Sequence, residues 1–229
     1  MAPSILRLGK HFTIVIAEMG SSASGSTCTV PFSRHWESMA DNDAQSFPDR
    51  AATALLLIDV INDLEFEDGA ELLVHAIPMA QRIAALKRRA SDAGVPVIYL
   101  NDNFGQWRSD FRAAISRIRD NPVRGHALLE WVEPEPEDYF VLKPKHSGFF
   151  GTTLETLLHF LGARHLILTG LTTDMCVLFT AMDAYMRDYR ISVPRDAVAA
   201  SRTDAHEAAI GLLHNRLRMD VTPSDALRF

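Results

Sequence analysis

Continuous apolar runs alternate with amphipathic stretches along most of the chain, beginning near residue 53. The runs that predict buried strands are residues 53–59, 97–100, 139–142, 165–170 and 190–193, with a short sixth strand at 219–221. Apolar residues at helical spacing predict helices over 70–93, 108–119, 152–160, 174–187 and 204–217. This alternation predicts a doubly wound, Rossmann-like α/β fold. Its mainly parallel sheet would have five to six strands, with helices on both faces.

Local sequence features predict where several of these helices begin and end. Gly94 and Gly162 stand where glycine ends a helix, and Pro78 is expected to begin or kink the regular part of the first helix. The pattern Thr152-x-x-Glu155 is typical of a capping box. Residues 122–138, rich in proline and acidic side chains towards the end, are predicted to form an irregular loop.

Residues 1–50 differ in composition from the rest and are predicted to form an N-terminal tail before one domain at 51–229. Glycine and serine dominate residues 20–26, as in a flexible linker. The apolar run at 12–17 is shorter than a signal peptide needs. Met39 is an alternative natural start, because folded-looking sequence begins soon after it.

Charge and cysteine content exclude several classes of protein. The formal net charge of −6 at pH 7 argues against nucleic-acid binding. No apolar run approaches the roughly 18 residues of a membrane-spanning helix. Cys28 and Cys176 are the only cysteines, so the chain is not a disulfide scaffold, and a reducing cytoplasmic setting fits.

Three reactive side chains are predicted to meet at one edge of the sheet. Asp59 ends the first strand, Lys143 follows the third, and Cys176 lies just past the fourth. Parallel sheets bind ligands outside the carboxyl ends of their strands. Each residue alone fits a structural role, but their joint placement favours a nucleophilic thiol beside a carboxylate base. The ammonium and the helix dipole are expected to favour the thiolate.

Three ordered motifs resemble those of the isochorismatase-like cysteine hydrolases. They are Leu56-Leu57-Ile58-Asp59-Val60-Ile61-Asn62-Asp63, then Lys143-Pro144-x-x-Ser147-x-Phe149-x-Gly151-Thr152-x-Leu154, then Gly170-Leu171-Thr172-Thr173-Asp174-Met175-Cys176-Val177. The resemblance covers about residues 53–222 and implies a catalytic triad of Asp59, Lys143 and Cys176. It also implies a cis peptide bond between Leu171 and Thr172, with the backbone N–H groups of Thr172 and Cys176 forming an oxyanion hole.

The resemblance further implies a small-molecule substrate and a homodimer or homotetramer. Candidate substrate contacts beside the strand ends are Asn103, Trp107, Phe149 and Leu171. The chain departs from the family pattern at Ile61, where a glutamine is common.

No metal or other cofactor is expected. The nicotinamidase branch has a histidine-containing metal site after the second strand, whereas residues 101–105 contain no histidine. No glycine-rich loop follows the first strand, so a dinucleotide fingerprint is missing.

The sequence favours hydrolysis of a small amide-type C–N bond through a thioester. Two alternatives stay open. One is isochorismatase-type vinyl-ether hydrolysis, which protonates carbon and needs no covalent cysteine. The other is a non-catalytic member that keeps the fold, which the retention of all three reactive residues argues against.

Deleting residues 1–38 is expected to leave the folded domain intact, because this segment contains no motif residue. The melting temperature of the truncated protein should change little. Loss of soluble, folded protein on truncation would contradict the predicted domain boundary.

Overall fold

The computed structural model describes residues 50–103 and 111–229. The predicted N-terminal tail, up to residue 49, lies outside the described residues, as does Trp107. Within the described ranges, no helix combines the length and the hydropathy needed to cross a bilayer.

The described chain alternates strands and helices in the predicted order. The strands are β1 (Thr53–Ile58), β2 (Val97–Asp102), β3 (Tyr139–Lys143), β4 (His165–Leu171), β5 (Arg190–Ser192) and β6 (Val198–Ala199). The helices are α1 (Gly69–Asp92), α2 (Phe111–Asp120), α3 (His126–Val132), α4 (Leu154–Leu161), α5 (Leu178–Tyr185) and α6 (Thr203–Asn215). A π-helical segment, Thr173–Val177, joins β4 to α5.

The strands form one parallel sheet in the order β3-β2-β1-β4-β5, and β6 pairs with β4 beyond the end of β5. From β1 the chain winds outwards through β2 and β3, then returns to place β4 on the other side of β1. The winding direction therefore reverses between β1 and β4. In sheets of this kind, ligands bind at the carboxyl ends of the strands at such a reversal.

Helices cover both faces of the sheet, which confirms the predicted fold class. Leu55 and Leu57 of β1 belong to the core beneath α1, α2 and α3. Leu56 and Ile58 belong to the opposite core, beneath α4, α5 and α6. All four side chains are completely buried. Successive strand residues point to opposite faces, so a doubly covered strand must be apolar throughout.

Two predictions about strands and loops were wrong. Residues 122–138 do not form an irregular loop throughout, because α3 begins at His126 and buries Leu128, Leu129 and Val132. Residues 219–221 do not form a strand, since the described contact is a single bridge between Ser192 and Asp220. The sixth strand is instead β6, whose two residues are too few for a recognisable pattern.

Helix termini also differ from the predictions. The expected helix over 174–187 is divided, with π-helical geometry up to Val177 and α-helical geometry from Leu178. The predicted capping box is absent, because α4 begins after Thr153, whose side chain makes no capping bond, and Thr152 Oγ1 instead accepts a hydrogen bond from the Leu154 N–H at 3.2 Å. Pro78 does not begin α1, which starts at Gly69 and continues through the proline. Gly94 and Gly162 have the positive φ angles expected of glycines that end helices.

Gly170 allows β4 to approach β1 closely where the reactive residues cluster. It pairs with Ile58 and has a φ of 106°. A Cβ atom at this position would lie 2.1 Å from the carbonyl oxygen of Ile58. Only glycine tolerates both the φ angle and this backbone contact.

Gly170→Ala is therefore expected to destabilise the protein by about 3 kcal/mol or more, as other severe backbone clashes do. Urea unfolding followed by circular dichroism measures the change. Gly211→Ala is the matched control, because the added methyl would meet nothing nearer than the Asn215 amide nitrogen at 3.7 Å. Alanine at that helical position should increase the free energy of unfolding by up to about 1 kcal/mol. Equal effects of the two substitutions would contradict this account.

Candidate active site

Asp59 lies immediately after β1, at the carboxyl edge of the sheet. Its backbone has a φ of 52°, which turns the chain away from the strand. The Asp59 N–H donates to the Leu100 carbonyl at 2.8 Å, and its Oδ1 accepts a hydrogen bond from the Asp102 N–H at 2.8 Å. The side chain is only 8% exposed. These contacts fix the carboxylate between the ends of β1 and β2.

Lys143 ends β3 and is completely buried. Its Nζ lies 2.8 Å from Asp59 Oδ2 and 3.4 Å from Cys176 Sγ. The same ammonium donates to the Lys145 carbonyl at 3.3 Å and lies 3.7 Å from Asp102 Oδ2. The structure therefore brings Asp59, Lys143 and Cys176 together, as the sequence predicted.

Cys176 is half-buried and is held in the π-helical segment that follows β4. The peptide bond between Leu171 and Thr172 is cis, which confirms the expectation from the family resemblance. The Thr172 carbonyl accepts hydrogen bonds from the Met175 and Val177 N–H groups, at 3.2 and 3.1 Å. These bonds fold residues 172–177 tightly and set the position of the thiol beside Lys143.

Burial controls the protonation of the cluster. It raises the pKa of Asp59 above the ordinary carboxyl value, although Lys143 acts in the opposite direction. Burial and the negative charge of Asp59 raise the pKa of Cys176 to about 12, against the lowering effect of Lys143. Burial also acts to lower the pKa of Lys143, but the Asp59 carboxylate outweighs it and the net change is upward.

The expected effect of the ammonium on the thiol is present, but it does not dominate. Lys143 does lower the pKa of the thiol, but desolvation and the adjacent carboxylate together have the larger effect. The raised pKa favours the protonated thiol, whose proton has to leave before the sulfur can act as a nucleophile. Asp59 is hydrogen-bonded to Cys176, and its raised pKa makes it a stronger base than an ordinary carboxylate.

The predicted substrate-contacting residues differ in where the structure places them. Asn103 lies at the site, where its N–H donates to the Lys143 carbonyl at 3.1 Å. Phe149 is buried in the core, with its ring 5.9 Å from that of Tyr189. The Leu171 side chain is also enclosed in the core, with 1% of its surface exposed. Ile61 is buried in the same way, so its side chain adds apolar packing where the family often has a polar group.

Two polar residues at the site were not predicted to belong to it. Asp102 ends β2 and supplies a second carboxylate to Lys143. Because Asp102 follows a predicted strand, the sequence could have placed it at the same edge of the sheet as Asp59. His146 is exposed, and its Nδ1 lies 3.6 Å from Cys176 Sγ. No spacing rule identifies His146, because it lies in a loop that the tertiary fold brings to the thiol.

Residues that could ligate a metal do not gather in the described ranges: no group of three or more histidine, cysteine, aspartate and glutamate side chains is placed to hold one. The cluster that the structure does show contains a carboxylate, an ammonium and a thiol. It lies at the winding reversal of a doubly wound α/β sheet. A protein with these three groups at this position belongs to the class of α/β proteins whose sites can carry out acid–base and nucleophilic chemistry.

Comparison with known proteins identifies the family. Residues 53–223 match the family model described as "Isochorismatase domain". An uncharacterized isochorismatase family protein, YaaI of Bacillus subtilis (strain 168), is 37% identical over 178 residues, which are 78% of this chain and 97% of the relative. The ureidoacrylate amidohydrolase RutB of Methylorubrum extorquens (strain DSM 6343 / CIP 106787 / DM4) is 30% identical, covering 65% of this chain and 70% of the relative.

A solved structure agrees with these relatives. The N-carbamoylsarcosine amidase of Thermoplasma acidophilum superposes with a TM-score of 0.60 at 27% identity, covering 78% of this chain and 100% of the amidase. The chain belongs to the isochorismatase family, and it is a hydrolase of that family.

Replacing Asp59 with asparagine is expected to speed alkylation of Cys176. The substitution removes the negative charge that raises the thiol pKa, so more thiolate is present at pH 9. Iodoacetamide should react several-fold faster, an increase moderated by the weaker nucleophilicity of a less basic thiolate. The rate is measured by mass spectrometry in a Cys28→Ser background, which leaves one thiol.

Asp102→Asn is the matched control, because it removes a carboxylate that contacts Lys143 at 3.7 Å without bonding to the thiol. Its effect on the alkylation rate should be smaller. Slower alkylation in Asp59→Asn would show that the pKa of the thiol is not set as described.

Proposed function

We propose that the protein is a metal-independent cysteine hydrolase that cleaves a small amide-type C–N bond through a thioester intermediate. The observation that carries this proposal is the position of the buried Lys143 ammonium, 2.8 Å from the Asp59 carboxylate and 3.4 Å from the Cys176 sulfur. A base, a cation and a nucleophile are thus in mutual contact before a substrate binds.

In the proposed acylation step, Asp59 takes the thiol proton as Cys176 attacks the substrate carbonyl. Because the raised pKa of the thiol disfavours the thiolate, the proton is transferred as the sulfur attacks. Lys143 stabilises the negative charge that moves from oxygen to sulfur. The backbone N–H groups of Thr172 and Cys176 are proposed to bind the developing oxyanion.

The tetrahedral intermediate then loses its nitrogen group. Asp59 returns the proton to the leaving nitrogen, so that ammonia or an amine departs and the thioester remains. Water cleaves the thioester and regenerates the thiol. Lys143 holds Asp59 in a fixed orientation during both transfers, since its ammonium is completely buried and bonded to Asp59 Oδ2.

The names of two related proteins support the choice of bond. RutB is named for ureidoacrylate, and the Thermoplasma enzyme is named for N-carbamoylsarcosine. Both names denote a carbonyl carbon bonded to nitrogen, which a cysteine nucleophile attacks by the steps above. We therefore propose a substrate of this class, a small molecule with an amide or ureido group.

The remaining properties of the proposed enzyme follow from the sequence and the family resemblance. We propose that it uses no cofactor, works in the cytoplasm and assembles as a homodimer or homotetramer. The presence of only two cysteines and a net charge of −6 supports a reducing compartment and a partner other than nucleic acid.

Substitution of the reacting groups is expected to abolish turnover of a substrate identified from small amides, ureas and isochorismate. Cys176→Ser should lower kcat at least about 10³-fold, because a hydroxyl is far harder to ionise beside the same base. Asp59→Asn should lower kcat by a similar factor. The double variant should be little worse than either single variant, since both groups serve one step.

Mass spectrometry of the acid-quenched wild-type enzyme should detect an acyl group on Cys176. Vinyl-ether hydrolysis would give a different result: Asp59→Asn would be inactive while Cys176→Ala kept substantial turnover. If both variants kept nearly the wild-type rate, neither reaction would use this site.

Removal of metals is expected to leave turnover unchanged, because every proposed step uses protein groups and water. The enzyme is dialysed against a chelator and assayed beside an untreated sample, with bound zinc and iron measured in both. A stoichiometric metal whose removal abolishes activity would contradict the proposal and would point to another ligand set, involving Asp102 and His126.

A further inference from the structure

Asn101 is a polar side chain buried beside the turn that carries Asp59. It is 1% exposed and lies in β2, next to Asp102, whose N–H donates to Asp59 Oδ1. The Nδ2 of Asn101 donates to the Ile61 carbonyl at 2.7 Å. Ile61 is the second residue after Asp59 and is itself buried. A buried amide is therefore bonded to the main chain just beyond the carboxylate of the site.

The turn at Asp59 lies beyond the regular pairing of the two strands. The register of β1 with β2 ends at Ile58 and Leu100. Asp59 then has a φ of 52°, in the left-handed region that residues other than glycine adopt at a cost in free energy. The Leu100 carbonyl still accepts a hydrogen bond from the Asp59 N–H at 2.8 Å. The next bond from β2 comes from the Asn101 side chain, which takes over where the backbone pairing stops.

The amide of Asn101 is not explained by stability alone. Its Nδ2 is satisfied by the Ile61 carbonyl, but its Oδ1 accepts no hydrogen bond from the part of the chain that the structure describes. Burying a polar atom without a partner lowers the stability of a fold. Departures of this kind from the rules of core packing are expected where a residue serves function.

We propose that Asn101 is a positioning residue for Asp59, an inference that rests on the proposed function. By holding the Ile61 carbonyl, the amide fixes the direction in which the chain leaves β1. That direction sets the place of the Asp59 carboxylate, 2.8 Å from Lys143 Nζ and within a hydrogen bond of the Cys176 thiol. Asn101 acts through Asp59 and has no contact with the reacting atoms in this proposal.

The test measures alkylation of Cys176 by iodoacetamide as a function of pH, in the full chain with Cys28→Ser. Asn101→Leu keeps a side chain of similar size but removes the bond to Ile61. The Asp59 carboxylate should then be held less firmly against the thiol, and its contribution to the raised thiol pKa should weaken. The alkylation profile should shift to lower pH, in the same direction as in Asp59→Asn and by no more than in that variant.

A double-mutant cycle separates positioning from a general change in structure. In the Asp59→Asn background, Asn101→Leu should leave the alkylation profile unchanged, because no carboxylate remains to be positioned. With a substrate identified from small amides and ureas, Asn101→Leu alone should lower kcat by up to about 10²-fold with little change in KM, since misplacement of a catalytic group by about 1 Å can have this effect.

Thr169→Val is the matched control. Thr169 is completely buried, and its Oγ1 donates to the Leu56 carbonyl of β1 at 2.9 Å, so the substitution removes the same kind of bond away from the Asp59 turn. It should lower the melting temperature and leave the alkylation profile unchanged. Asn101→Ser, which loses the bond to Ile61 without adding an apolar side chain, provides the second variant and should shift the profile as Asn101→Leu does.

An unchanged alkylation profile in folded Asn101→Leu or Asn101→Ser would overturn the inference. A shift of the same size with and without the Asp59 carboxylate would also overturn it, because Asn101 would then act on the thiol by another route. Absence of turnover in the wild-type enzyme on every amide and urea would instead contradict the proposed function, and the alkylation cycle would still decide whether Asn101 positions Asp59.

Discussion

The organisation of the site depends on one buried positive charge. Lys143 has no exposed surface, so its ammonium must be satisfied by protein groups, because an unpaired charge in this environment is very costly. Its partners come from the residue after β1, the end of β2, the loop after β3 and the segment after β4. The requirement to pair this charge therefore joins four parts of the chain that are far apart in sequence.

Burial also affects the protonation of the Cys176 thiol. Burial raises the pKa of the Cys176 thiol to about 12, which disfavours the thiolate, and the thiol lies against a carboxylate whose own pKa burial has also raised. In the proposed mechanism, the proton passes between them when a carbonyl arrives. The sulfur also lies 3.6 Å from Nδ1 of the exposed His146, so buried and solvent-facing groups contact the same atom.

Much of the fold could be predicted from apolar patterning. The runs of β1 and β4 are buried on both faces, and that burial leaves no room for polar positions along them. The prediction of strands and helices was less accurate for very short elements. The two-residue β6 has no readable pattern, and the bridge between Ser192 and Asp220 depends on contacts that the sequence does not display. The helix α3 was obscured by the proline-rich acidic segment that follows it.

The sequence by itself determined the parallel α/β sheet and the placement of Asp59, Lys143 and Cys176 at its carboxyl edge, because strand ends in such a sheet share one side. Only the tertiary structure decided which neighbours those residues have. Packing placed Phe149 in the core and brought His146 to the sulfur, although Phe149 and His146 are three residues apart in one loop. Packing also raises the pKa of the thiol, since desolvation depends on everything around a group, whereas sequence shows only the residues beside it along the chain.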